Sequence, residues 1–297
     1  MASFFDEIGR NRIKSILLMM VFGAIFGGII FLFVYLFGGG PIAFGIGMVI
    51  VVLYAFFSYH YGSTLVLKMT KAKPADKSQY PQLYSIVEGL ALASQIKVPK
   101  IYVVNDPNPN AFATGKNKSN ASIAVTTGLL SMMEKNELEG VIAHEMSHIY
   151  NNDIQFMLVA VVFAGIIGIV SAIIRNMFFF GFGGRRGDGG VLILVGIVAG
   201  ILAPIFALLV RMAISRKREY MADANGARII RQPQWLASAL KKIQQYEAQP
   251  NATHVKAANE MTAPLYFESP FSKRSLMNIF STHPPIEERI KRLEHMY

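Results

Sequence analysis

ELEGVIAHEMSHIYNNDIQFMLVAVVFAGIIGIV, residues 137–170, is two kinds of sequence run together. In its first half Leu138, Val141 and Ile142 recur at helical spacing among charged and polar residues, which reads as an amphipathic helix over 137–150. Its second half opens an uncharged apolar run over 154–174, close to the roughly 20 residues that cross hydrocarbon as a helix. A water-facing helix bearing reactive side chains therefore leads straight into a membrane segment, and the fold class follows from that junction.

Composition points the same way. Of 297 residues, 53% are hydrophobic and only 16% charged, far from the balance of an ordinary soluble globule. Three more uncharged runs, over 15–37, 41–59 and 191–210, complete a set of four candidate transmembrane helices. Arg10, Arg12 and Lys14 precede the first run as in a signal peptide. The run is too long for a signal core, however, and a second span starts almost at once, so a retained anchor is expected. There is no cysteine, hence no disulfide framework. The net charge of +10 has a topological explanation. Arg10, Arg12, Lys14, Lys68, Lys71, Lys73, Lys77, Arg211, Arg216, Lys217 and Arg218 fall on the side holding the N-terminus, against Arg175, Arg185 and Arg186 opposite, which makes the N-terminal side cytoplasmic. Anionic lipid is a secondary partner for these charges. Nucleic acid is excluded as a partner, since no binding motif accompanies the charge.

The expected architecture is mostly α: a polytopic membrane protein with four transmembrane helices and an α+β, zincin-like cytoplasmic domain of the gluzincin type, with a small β-sheet. A transmembrane hairpin occupies 1–60, turning at Gly38 to Pro41. Cytoplasmic sequence follows over 61–153, with a helix over 80–97, a strand at "KIYVV" (100–104), a turn at "NDPNPN" (105–110) and a strand within "ASIAVTTGLL" (121–130). A second hairpin over 154–210 turns through the glycine-rich loop 181–190. The remainder, 211–297, is soluble in character, with helices near 215–231, 234–249 and from about 285.

In "HEMSH", His144 and His148 are four residues apart, so on a helix both imidazoles leave one face and can grip one ion, with Glu145 beside them. Neutral imidazoles suit Zn²⁺, which lowers the pKa of a bound water to about 7, and Glu145 is placed to act as general base. Such a zinc takes three protein ligands, and the positions that would continue a metzincin motif hold Asn151 and Ile154. A carboxylate must arrive from elsewhere. The second hairpin returns the chain to the face it left, so His148 and Glu219 stand roughly 9 and 14 Å from the same membrane face at 1.5 Å per residue. Glu219 opens "EYMAD", with Asp223 one helical turn on and suited to hold a ligand histidine's second nitrogen. On spacing alone, the two acids equally form a solvated pair beside "SRKR".

These segments together resemble the HtpX family of heat-shock membrane metalloproteases, relatives of the CAAX prenyl proteases. The resemblance covers nearly the whole chain: two N-terminal spans, "NPNAFATG" (108–115), "HEMSH", two further spans, "SRKREYMADANGA" (215–227) and "STHPP" (281–285). It implies one Zn²⁺ per chain on His144, His148 and Glu219, with Glu145 as base and Asp223 supporting the metal. It further implies a substrate-side edge at Asn110, Ala111, Phe112 and Ala113 with Ser122, Ile123 and Ala124, where an extended peptide adds as a strand. His283 matches a histidine brought near the metal, where it could donate to an oxyanion. The function implied is cleavage of misfolded or damaged membrane proteins in the bacterial inner membrane, as stress response and quality control, alongside an ATP-dependent membrane protease and with self-cleavage. The chain itself has no nucleotide-binding loop, so its substrates should be flexible or unfolded polypeptides. A CAAX-type prenyl endopeptidase, or a non-catalytic scaffold or holdase, are the alternatives.

Overall fold

The computed structural model describes residues 20, 24, 27, 28, 31, 34, 40–155, 157, 158, 216–249, 255, 265–267 and 284–296. The expected spans over 15–37, 154–174 and 191–210 and the loop 181–190 lie wholly or largely outside these residues.

Helix α1 (Pro41–Met69) begins with proline at its first turn, where the missing N–H costs nothing. Its apolar side chains, among them Ile42, Ile46, Val49, Ile50, Leu53 and Phe56, face outward rather than into a core. Among the described residues no single straight helix is long and apolar enough to cross a membrane. The two arms of α1, Pro41–Tyr54 and Phe56–Met69, meet at a 40° bend and together have the length and composition to do so. The helix also continues ten residues past the expected end of that span at 59, because its last turns bury Val66 and Leu67 against the sheet.

The sheet is small and mixed. Its strands β1 (Lys73–Pro74), β2 (Lys100–Val104), β3 (Ala111–Gly115) and β4 (Ala121–Thr126) stand in the order β1-β2-β4-β3. Strands β2 and β4 run parallel, and the other two pairings are antiparallel. Period-two alternation assigns the faces. Ile101, Val103, Ala111, Ala113, Ile123 and Val125 enter the main core, while Val104, Phe112 and Ala124 pack with the end of α1, Leu265 and Tyr266 in a second cluster.

Helices cover the first face. They are α2 (Pro81–Ala93), the short α3 (Thr127–Met132), α4 (Lys135–Tyr150), α5 (Arg216–Ile230), α6 (Pro233–Glu247) and α7 (Ile286–Glu294). The expected strand over 121–130 stops at Thr126, whose hydroxyl accepts the Leu129 N–H and caps α3 instead. Helix α4 opens with a reciprocal box: the Glu137 carboxylate accepts the Glu134 N–H at 2.9 Å, and the Glu134 side chain accepts an N–H of the first turn. Two glycines set how closely α4 is crossed. A Cβ on Gly140 would lie 2.7 Å from the Leu236 nitrogen of α6, and one on Gly226 of α5 would lie 3.0 Å from the His144 nitrogen. Glycine at 226 therefore lets the α5 backbone lie directly on α4 at the histidine.

Candidate active site

Helical spacing places Glu219, Asp223 and Gly226 on one face of α5, at i, i+4 and i+7. Gly226 seats that face on His144, so both carboxylates point at the histidines of α4. His144, Glu145, His148, Glu219 and Asp223 are all buried.

The ring nitrogens divide their work. His144 Nδ1 lies 2.9 Å from Asp223 Oδ1, and His148 Nδ1 lies 3.1 Å from Asp153 Oδ2. With each Nδ1–H engaged by a carboxylate, each Nε2 is the nitrogen turned inward, the one that a metal would take in the neutral ring. The two Nε2 atoms stand 3.2 Å apart. Glu219 Oε2 is 3.6 Å from His144 Nε2, and Glu219 Oε1 is 3.6 Å from His148 Nε2. One atom from each of the three residues falls within 4.8 Å of the others. Ligands placed tetrahedrally about zinc at 2.0–2.1 Å are ~3.3 Å apart, close to these separations, and the set of two imidazoles and a carboxylate is one that a hydrolytic zinc accepts. The residues present fit a single divalent ion.

Asp223 is itself held. Arg289 of α7 donates Nε to Oδ2 at 2.9 Å and Nη2 to Oδ1 at 2.8 Å, a two-pronged pair with no exposure on the arginine. The Arg289 guanidinium lies over the Phe267 ring, whose edge-on contact with His144 closes that side of the site. Burial pushes the Asp223 pKa up, but Arg289 and His144 overcome it and hold the carboxyl at about 2. Burial likewise works against a charged His144, yet Asp223 and Glu219 together raise it to about 9. In the ion-free protein His144 thus carries a proton that a metal must displace. Burial raises the Glu145 pKa, Glu219 adds to it, and the neighbouring histidines and the Ala113 backbone of β3 oppose it. A carboxylate moved up from its ordinary range suits a general base.

The expected substrate-side residues divide. Asn110 through Ala113 lead into and form β3, and the Asn110 oxygens accept from Thr126 and Ala111, which fixes the strand entry. Ser122, Ile123 and Ala124 lie on β4, between β2 and β3, where both backbone edges are already paired. Addition of a strand at Ser122–Ala124 is therefore closed, and of the expected substrate-side residues those of β3 are the ones on a sheet edge. Part of that edge meets the chain itself: Tyr266 bridges Phe112 antiparallel, and the Phe267 N–H donates to the Ala111 carbonyl at 2.8 Å. His283 lies outside the described residues.

Sequence reasoning did not find Asp153, Arg289 or Phe267. Only Asp153 had a local signal. Asn152 takes φ 60 at the end of α4, the left-handed conformation asparagine tolerates at a helix C-terminus, and this turns Asp153 back onto His148. Arg289 and Phe267 reach the site from distant sequence with no motif.

A model described as peptidase family M48 matches residues 77–297. The chain is 44% identical over 300 residues to a protease HtpX homologue of Caldanaerobacter subterraneus subsp. tengcongensis, covering 99% of this chain and 98% of that protein. A Dictyoglomus turgidum protein of the same description is 40% identical over 294 residues, with 99% and 95% covered. One from Streptococcus mutans is 41% identical over 306 residues, with 98% and 99% covered. Among solved structures, Ste24p of S. mikatae shares the fold at TM-score 0.53 and 20% identity, over 96% of this chain and 67% of that one.

Proposed function

The chain belongs to peptidase family M48 and is a metalloprotease, and from that premise we propose that it is a zinc-dependent endopeptidase of the bacterial inner membrane that cleaves misfolded or damaged membrane proteins. The observation carrying this reading is the convergence of His144 Nε2, His148 Nε2 and the Glu219 carboxylate, with Glu145 beside them and in contact with the edge strand.

His144, His148 and Glu219 would hold the ion. Zinc, when bound, supplies a Lewis acid that polarises the scissile carbonyl and acidifies water. Glu145 takes the proton of the attacking water and passes it to the leaving amine, which removes the need for a covalent intermediate. Asp223 fixes the His144 ring by holding its Nδ1 proton, and Arg289 keeps Asp223 ionised. Strand β3 receives the peptide along its edge, presenting the scissile bond to Glu145, whose carboxyl lies in the field of that strand's backbone at Ala113. The bend-bearing α1, welded to the sheet through Val66 and Leu67, supports a site held close to the bilayer. Substrates are then loops and ends of membrane proteins exposed on the cytoplasmic side, and work alongside an ATP-dependent membrane protease belongs to the same reading. A role for His283 at the oxyanion is part of it.

The prenyl-endopeptidase and scaffold alternatives are not favoured, since the near-full-length relatives are HtpX proteases. The deciding experiment compares the wild type with Glu145→Gln in detergent, using an unstructured membrane-tethered reporter. The wild type should hold one zinc and lose cleavage with chelator. Glu145→Gln should keep the zinc and cleave at least about 100-fold more slowly, the lower range for a lost general base. Full cleavage by the zinc-loaded variant removes Glu145 from the mechanism.

A further inference from the structure

The two metal-facing histidines are each held from behind, and the two supports are alike. His144 Nδ1 meets Asp223, which is neutralised by buried Arg289. His148 Nδ1 meets Asp153, which has no exposure to solvent. The geometry points to Asp153 as a positioning residue for His148, its carboxylate fixing the ring and its tautomer.

The placement follows from the chain. Asp153 comes directly after the left-handed turn at Asn152, where the end of α4 folds back beneath its own histidine. A carboxylate on Nδ1–H makes the opposite nitrogen a better donor to a metal and stops the ring from rotating about its Cβ–Cγ bond. Asp153 therefore acts on the metal through His148, without touching the metal or the substrate.

The inference rests on the zinc reading above, and the test separates the two. Full-length wild type, Asp153→Asn, Asp153→Ala and, as reference, Asp223→Asn are prepared in detergent. For each, the zinc dissociation constant is measured by chelator competition, the visible spectrum is recorded with Co²⁺ in place of zinc, and kcat and KM are measured at saturating zinc. Asp153→Ala should weaken zinc binding 10- to 100-fold, shift the Co²⁺ bands and lower kcat with little change in KM. Asp153→Asn keeps an acceptor for Nδ1–H without the charge and should fall between Ala and wild type. Wild-type zinc affinity and an unshifted Co²⁺ spectrum in folded Asp153→Asn and Asp153→Ala overturn the positioning role. If the wild type and Asp223→Asn also fail to bind zinc, the metal reading fails instead.

Discussion

His144 is the residue whose environment is least like its surroundings in water. Two carboxylates, Asp223 on one ring nitrogen and Glu219 near the other, raise its pKa to about 9 against the burial that would lower it. The protonated ring bridges those acids when no ion is present, and an ion must evict the Nε2 proton, because only the neutral ring can ligate. Zinc binding at pH 7 should therefore release about one proton from this residue, and near pH 10 almost none. Calorimetric titrations of metal-free protein, run in two buffers of different ionisation enthalpy, give that count directly. Release that stays near zero across the whole range would place the proton elsewhere.

At the level of the elements, the crossing of α5 on α4 decides whether ligands from distant parts of the chain meet. Gly226→Ala places a methyl 3.0 Å from the His144 nitrogen and 3.2 Å from the Ala143 carbonyl carbon, backbone atoms that cannot swing aside. The helix must shift by a few tenths of an ångström, carrying Glu219 and Asp223 with it. Alanine gains about 1 kcal/mol of helix propensity over glycine, which offsets part of the packing loss of about 1–3 kcal/mol. We expect zinc affinity to drop about tenfold while the thermal midpoint moves by only a few degrees. Equal losses in both would mean that the methyl disrupts packing generally.

The same helices show what the sequence made legible. Helix α4 could be read because its period and metal spacing are local, and α5 because its acids repeat one turn apart. The assignment of those acids to the metal, rather than to solvent, came from likeness to a family, since their partner lies 75 residues back along the chain. Strand β3 carries no β-branched run to announce it: four of its five residues are Ala, Phe, Ala and Gly, and its pairing with β4 makes it a strand. Within 121–130 the β-branched strand was legible, while its end was not, because Thr126 serves both as the end of a strand and as a helix cap. Arg289 was unreadable for a simpler reason. An arginine among "EERIKRLE" looks like a solvated charge until α7 is docked and its guanidinium is sealed against Asp223.

For the whole molecule, the buried ionic groups set how stability responds to pH. The Asp223 pKa is lowered from 3.8 to about 2, so its contribution is present above 3.8 and is lost as the pH falls through 2. The His144 pKa is raised from 6.5 to about 9, so its contribution is present below 6.5 and is lost as the pH rises through 9. The ion-free protein should accordingly be most stable between about pH 4 and 6.5. Zinc should reverse the alkaline slope, because proton competition for His144 weakens as the pH rises. Thermal midpoints in detergent at pH 6.5 and 9, with chelator and with zinc, should move in opposite directions. A parallel response would show that His144 does not govern the alkaline limb.

Tyr266 and Phe267 meet β3 at Phe112 and Ala111. On the reading proposed above, a polypeptide pairing along that part of the edge has to displace them and take over their backbone bonds. Because the chain has no native cysteine, a Phe112→Cys, Tyr266→Cys variant makes the exchange visible. Directly opposed antiparallel residues lie within disulfide reach, about 4.5–5.5 Å between α-carbons. The oxidised variant should be latent and its reduced form active, so that an enzyme seated among membrane proteins rests with its blade sheathed by its own chain.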